Sequence, residues 1–406
     1  MTLSARRLLA RAARVGRGAL NLTVYPLVAR ARRDRKRWAF GHQDDLFGGN
    51  AKYLYLWASL HRPDIEAVWI TGDRALRDRL RAAGHRAELR WSPAGMRHAV
   101  RSGAHFFGHS ASDVNLLLSN GAKLVNLWHG VGLKPIQHND PRCVVSTHAK
   151  YRHNPLTRAL FLDYVVDPDI VVATSPFMRE HFADQFRLPE ARCPELGYPR
   201  LDASADARLK QAVRALDEAA GASPFTGEFS EHYIYMPTFR DTERPFLEEA
   251  LPNMERFSAI LAARNAVLYV KLHPKTRDAI PARYGNIKPW PAALDVYCYL
   301  ADFDGLISDY SSVLYDYVAV KDTGAIVYTF DYESYLAGDR GLLYDFGDLV
   351  PGVWANTFDE LCDALRDGAA LVRAPDDRYD RVRALFWGGS ARPASPAVAR
   401  YVEEMG

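Results

Sequence analysis

Cysteine is scarce in this chain. There are four in 406 residues (Cys143, Cys193, Cys298 and Cys362), with no CxxC pair and no metal-ligand spacing. Scattered thiols of this kind exclude a disulfide framework and fit a reducing cytoplasm. Neither a Walker sequence nor a GxGxxG occurs, which excludes a P-loop enzyme and a dinucleotide dehydrogenase. Internal repeats, low-complexity segments and long linkers are also missing. Within the first 37 residues the longest uncharged stretch, Gly18–Ala29, is 12 residues and holds Asn21, Thr23 and Pro26. That is too short to span a bilayer. An arginine cluster follows it in place of the small-residue cleavage site of a signal peptide.

What the chain does have is charge in one place. Residues 1–37 carry eleven Arg and Lys against the single acid Asp34, a net +10, whereas the whole chain nets +3. The remaining 369 residues are therefore mildly acidic, at −7. Leu3, Leu8, Leu9, Ala12 and Ala13 alternate with arginines at helical spacing. Such a helix suits an anionic membrane surface, where each basic residue contributes on the order of 1 kcal/mol. The other readings are a solvated arm or, less favoured, a nucleic-acid contact. Residues 1–37 are expected to be a basic amphipathic membrane-associating arm, with no nucleic acid as partner.

Beyond the arm, short apolar strands alternate with helical patterns. Strands are predicted at Trp38–Gly41, Glu66–Thr71, Ala104–Gly108, Lys123–Leu127 and Asp169–Thr174. A second series follows at Tyr233–Met236, Ala266–Leu272, Gly305–Ser308 and Ala325–Tyr328. Helices are predicted at Ala51–Leu60, Arg74–Ala83, Phe177–Phe186, Leu209–Ala220, Phe246–Arg264, Leu294–Ala301, Ser311–Ala319 and Ala391–Glu404. Repeated βαβ units imply parallel sheets with helices on both faces. The length suggests two or three domains; the boundaries read here are 38–203 and 204–406. The expected fold is α/β: two doubly wound, Rossmann-like domains facing each other.

In open α/β sheets, ligands bind beyond the carboxyl ends of the strands. Four motifs fall there. Trp128-His129-Gly130 follows Lys123–Leu127; Gly130 and Gly132 let the backbone turn, and His129 offers an imidazole suited to general base work. Pro237 ends Tyr233–Met236, and Thr238 and Arg240 project beyond it. Arginine's fork of donors matches a phosphate, although an Arg240–Asp241 surface turn would look the same. His273-Pro274 ends the third strand, with Lys275, Thr276 and Arg277 beside it: an anion clamp, or simply a basic surface loop. Ser308-Asp309-Tyr310-Ser311-Ser312 joins a strand to a helix whose free N–H groups suit an anion, with Asp316 one turn further on. A plain Ser-capped helix is the alternative. Taken together, the four point to a cleft that binds a nucleotide diphosphate and transfers a group from it.

These motifs, together with Lys134 and Gly197-Tyr198-Pro199-Arg200 plus Asp202, resemble the CDP-glycerol glycerophosphotransferase family, the teichoic acid primases and polymerases. Their order and spacing span about residues 38–350. The resemblance implies a GT-B-like fold, no metal and no cofactor, and a peripheral enzyme at the cytoplasmic face of the cell membrane. It implies transfer of glycerol phosphate, or a related polyol phosphate, from a CDP-activated donor to a lipid-linked or polymeric acceptor, in teichoic acid or capsule synthesis. By that resemblance His129 is the base and His273 assists departure of CMP. Ser311 and Ser312 hold phosphate and Asp316 the polyol. Gly130, Lys134, Thr238, Arg240, Lys275, Arg277 and Asp309 complete the expected binding set. A homo-oligomer is compatible with the sequence. A GT-B nucleotide-sugar glycosyltransferase would share the fold but release a nucleoside diphosphate instead of CMP. A non-enzymatic nucleotide sensor would not need His129.

Overall fold

The computed structural model describes residues 3–405 except 133, 220, 222–223, 226, 241–245, 274–275, 277, 282, 339–342, 345, 369–376 and 389–392. The chain forms two compact units. Unit 1 comprises residues 1–129, 136–209 and 392–406; unit 2 comprises 130–135 and 210–391.

Unit 1 contains strands β1 (Asp34–Phe40), β2 (Glu66–Thr71), β3 (Ala87–Leu89), β4 (Ser102–Phe107), β5 (Lys123–Asn126) and β6 (Ile170–Val171). They form one parallel sheet in the order β3-β2-β1-β4-β5-β6. Unit 2 contains β7 (Glu231–Met236), β8 (Ala266–Val270), β9 (Ile287–Pro289), β10 (Gly305–Ser308), β11 (Ala325–Tyr328) and β12 (Val353–Ala355). Their order, β12-β11-β10-β7-β8-β9, repeats the same topology, again all parallel. Both sheets reverse strand order between their first and fourth strands, the switch point where ligands bind in such folds. Strands buried on both faces should read as continuous apolar runs, and β8 (Ala-Val-Leu-Tyr-Val) and β11 (Ala-Ile-Val-Tyr) are buried throughout.

The expected boundaries shift in two places. The division at 203/204 lies instead near 209/210, and the last helix, Ala394–Glu404, returns to unit 1. Two bonds at its start account for that return. Asp202 accepts hydrogen bonds from the backbone N–H groups of Ala394 (2.8 Å) and Ser395 (2.7 Å). At its other end Glu403 pairs with Lys36 and Arg62.

The arm is also not separate up to residue 37. Residues Leu3–Val28 form one helix, but its last turns are part of unit 1. Val28 is buried with Ala99 and Leu118, Asn21 donates to Ala159 O (2.8 Å), and Gly18 abuts Leu160. β1 then begins at Asp34, inside the basic run. Arg33 donates to the carbonyls of Ala99, Ser102, Leu118 and Asn120, and Arg37 pairs with Glu66. These two cations are structural.

Unit 1 also buries the imidazoles of His98 and His105, besides that of His181. His98 bonds Trp38 O (3.1 Å) and His105 bonds Ala99 O (2.9 Å). Burial is the largest cause that pushes them down, to about 4 and about 3. Below pH 6.5 the unfolded chain binds protons at these rings that the folded chain refuses, so stability falls as pH drops from about 6.5 towards 4. Thermal denaturation should show unit 1 losing stability between pH 7 and pH 4.5. His105→Gln, which keeps a donor for Ala99 O, should flatten that slope; an unchanged slope refutes the assignment.

Candidate active site

In unit 1 His129 sits on a strained turn. β5 ends at Asn126, and Trp128 adopts φ +51°, a left-handed conformation uncommon for a bulky residue. Asn126 Oδ1 accepts from Trp128 N–H (2.9 Å), and Trp128 packs against Phe182 and Phe186. Asn50 Nδ2 donates to both Leu127 O and Trp128 O at 3.0 Å. Asn50 Oδ1 in turn accepts from Arg200 N–H (3.2 Å), while Arg200 Nη1 donates to His129 O (2.7 Å). The backbone on both sides of His129 is thereby held.

The ring of His129 is exposed. Its Nδ1 donates to Gly108 O at 3.3 Å. A carbonyl can only accept, so the proton is on Nδ1 and Nε2 keeps the lone pair a base needs. Surrounding protein disfavours charge on the ring and pushes its pKa down; Arg200, His109 and His42 act in the same direction, against the Gly108 bond. The exposed edge blunts the shift, but the direction leaves a neutral imidazole at pH 7.

In unit 2 the ends of β7 and β10 are tied directly. Thr238 N–H donates to Asp309 Oδ1 (2.8 Å). Arg240 donates through Nη2 to Asp309 (2.8 Å) and Asp331 (3.0 Å), through Nε to Asp331 (2.7 Å), and through Nη1 to Thr238 O (2.7 Å). Its guanidinium also lies about 5 Å from the rings of Tyr310 and Tyr335. Thr238 Oγ1 is buried and has no hydrogen-bond partner among the described residues.

The helix Val313–Val320 starts after β10. Ser312 makes no side-chain cap, and among the described residues Ser311 Oγ accepts only from Val313 N–H, at a long 3.5 Å. Both serines are half-buried. The 130–135 loop belongs to this unit, and Gly130 lies close to Ser312: a Cβ on Gly130 would stand 2.8 Å from Ser312 Oγ. Lys134 Nζ lies 5.2 Å from the Tyr335 ring. His273 is exposed, its ring 4.8 Å from that of Phe239.

The family described as CDP-glycerol:poly(glycerophosphate) glycerophosphotransferase matches residues 23–404. The chain belongs to this family. Its relatives include a teichoic acid poly(glycerol phosphate) polymerase of Staphylococcus epidermidis, 25% identical over 325 residues, covering 75% of this chain and 42% of that one. A teichoic acid ribitol-phosphate primase of Bacillus spizizenii is 30% identical over 242 residues, 56% of each chain. The chain thus spans about half the length of these curated relatives. The fold is that of the wall teichoic acid polymerase TagF: TM-score 0.73 at 17% identity, over 98% of this chain and 95% of that one.

Against that glycerophosphotransferase family, several expected site residues have other work here. Arg240 was expected to fork a phosphate; four of its five N–H donors are bound within the protein. Asp309 is fully buried as its partner. Asp316, expected to meet the polyol, is also fully buried, because the helix carrying it is buried from Val313 through Val318. Lys275 and Arg277 lie outside the described residues. Two residues escaped the sequence reading. Asn50 carried no signal, being a lone Asn after two glycines. Asp331 lies three residues past the end of β11, where the strand-end rule could have found it.

Breaking a buried ion pair by removing one partner costs roughly 3–5 kcal/mol. Arg240→Ala, which strands Asp309, should therefore lower unit 2 stability by about that range in denaturant titration. Asp331→Asn should cost less, since Asp309 still holds the guanidinium. Equal and small effects in both variants would show that the network does not support the fold.

Proposed function

We propose that the protein transfers a polyol phosphate, such as glycerol phosphate, from a CDP-activated donor to a hydroxyl of a lipid-linked or polymeric acceptor in cell-envelope polymer synthesis. Family membership supports the reaction class. The observation that carries it is His129: an exposed imidazole with its proton fixed on Nδ1, at the carboxyl end of β5, on a backbone braced from both sides. In this reading Nε2 takes the acceptor's hydroxyl proton. The oxygen attacks the polyol-bearing phosphorus, and the bond between that phosphorus and the bridging oxygen breaks to release CMP.

Such a transfer depends on positioning and neutralisation of charge. Ser311, Ser312 and the first-turn N–H groups of Val313–Val320 would hold the diphosphate, with His273 beside the departing CMP. Arg240 would act indirectly, by fixing Thr238 and Asp309 at the unit 2 switch point. We read the reaction as needing no metal, with the serines and first-turn N–H groups neutralising the diphosphate.

The decisive assay incubates the full chain with an acceptor and, separately, CDP-glycerol, CDP-ribitol and UDP-sugars. CMP release from a CDP-polyol is expected, unchanged by EDTA. Release of a nucleoside diphosphate would instead favour a glycosyltransferase. His129→Ala should lower turnover by about 10²–10⁴-fold, the usual worth of a general base, while donor binding persists. Near-normal turnover would reject the base.

For location, no helix among the described residues is long and apolar enough to cross a membrane. The helix Leu3–Val28 leaves Val15, Leu20, Leu22 and Leu27 exposed, and its basic flank suits an anionic surface. Peripheral attachment at the cytoplasmic face is the reading we adopt. Val15, Leu20, Leu22 and Leu27 replaced together by Ser should weaken sedimentation with phosphatidylglycerol liposomes without moving the thermal midpoint. Undiminished sedimentation would refute the membrane role.

A further inference from the structure

The mechanism uses one of three histidines that the topology of unit 1 places together. His42 follows β1, His109 follows β4 and His129 follows β5. These strands are adjacent, in the order β1-β4-β5, and strand order reverses between β1 and β4. The His42 ring lies beside Gly108, whose carbonyl His129 bonds and which His109 follows directly: a Cβ on Gly108 would stand 4.0 Å from His42 Cδ2. The Asp113 carboxylate is buried beneath the β4 end and accepts hydrogen bonds from the N–H groups of Gly108 (3.2 Å) and His109 (2.9 Å).

His42 is fixed in the same sense as His129. Its Nδ1 donates to Gln43 O at 3.0 Å, so the neutral ring presents Nε2 as an acceptor. That edge faces the start of the helix Gly49–His61: a Cβ on Gly49 would stand 2.9 Å from Nε2. Gly49 also has φ +61°, so a glycine there both permits the turn and leaves the ring room. The His109 ring is exposed.

We propose that His42 and His109 form, beside His129, a subsite for the polyhydroxyl end of the acceptor. This rests on the reading of His129 as the base. The chemistry favours hydroxyls over phosphate. The lone pair on His42 Nε2, whose Nδ1 proton is already engaged, matches an O–H donor, and a phosphodiester has no proton to give. A buried carboxylate below would also repel an anion. A polyol carries several hydroxyls: His129 activates one while His42 accepts from a neighbour, which sets the reacting oxygen by position.

Binding to the full chain tests this without turnover. A synthetic tri(glycerol phosphate) is titrated calorimetrically, with CDP-glycerol titrated separately. The wild-type chain should bind the trimer, and His42→Ala should weaken that affinity about tenfold, the scale of one lost hydrogen bond. His109→Ala should weaken it too. His42→Gln, which can place an amide oxygen where Nε2 lies, should recover most of the loss; His42→Asn should not. CDP-glycerol affinity should stay constant in all four variants. Absence of trimer binding by the wild-type chain, or unchanged affinity in His42→Ala, overturns the subsite. Competition by inorganic phosphate as strong as by free glycerol overturns the hydroxyl assignment. If the trimer binds and CDP-glycerol does not, the subsite stands and the donor reading fails.

Discussion

Everything on the unit 1 side depends on keeping Trp128 in a left-handed backbone conformation. Such a residue costs of order 1–3 kcal/mol, and a chain free to relax would flip it. Four side-chain bonds oppose that: two from Asn50, one to Asn126 and one from Arg200. At about 1 kcal/mol each, they are enough to hold the turn. The turn lifts His129 out of the strand direction, so that its ring meets Gly108 O while the residue stays exposed. An extended residue 128 would send the imidazole along the sheet, where strand burial would claim it.

Unit 2 solves the parallel problem with charge. Its switch point lies between β7 and β10, and the loops leaving them must stay in register although nothing in the sheet holds them. Arg240 clamps both to Asp331, and Thr238 bonds Asp309 across the gap. This has a consequence for anion binding. A guanidinium shared between two carboxylates is close to neutralised, so it cannot be the main counter-charge for a diphosphate. In the proposed reaction, counter-charge in unit 2 would come from backbone N–H groups at Val313, from hydroxyls and from cations elsewhere. The buried Thr238 Oγ1, without a hydrogen-bond partner among the described residues, stands at the same switch point.

The sequence made much of this legible. β2, β10 and β11 fall at the residues predicted, because buried parallel strands read as short apolar runs bounded by Gly, Asp or Ser. What it hid follows from the same physics. β3, β9 and β12 are three-residue edge strands, too short for any period to show. The predicted helix 246–264 breaks at Leu251-Pro252-Asn253, since Pro252 cannot follow a helical residue easily and Asn253 caps the next helix. Arg240 misled because a motif names a residue type and not its partner. Asp331, ninety-one positions away, decides what the guanidinium does.

The same limit applies to the basic arm. Net charge grouped residues 1–37 as one object, yet burial divides them. Gly18, Asn21 and Val28 are docked on unit 1, and Arg33 is satisfied by four carbonyls. A helix anchored along its last turns is not a loose tether. Its exposed apolar residues keep a fixed orientation relative to the unit 1 sheet. If they meet a membrane, they also set how the carboxyl ends of β1, β4 and β5 lie with respect to the lipid surface. The helix then contributes orientation as well as attachment, which bears directly on the proposed transfer to a lipid-linked acceptor.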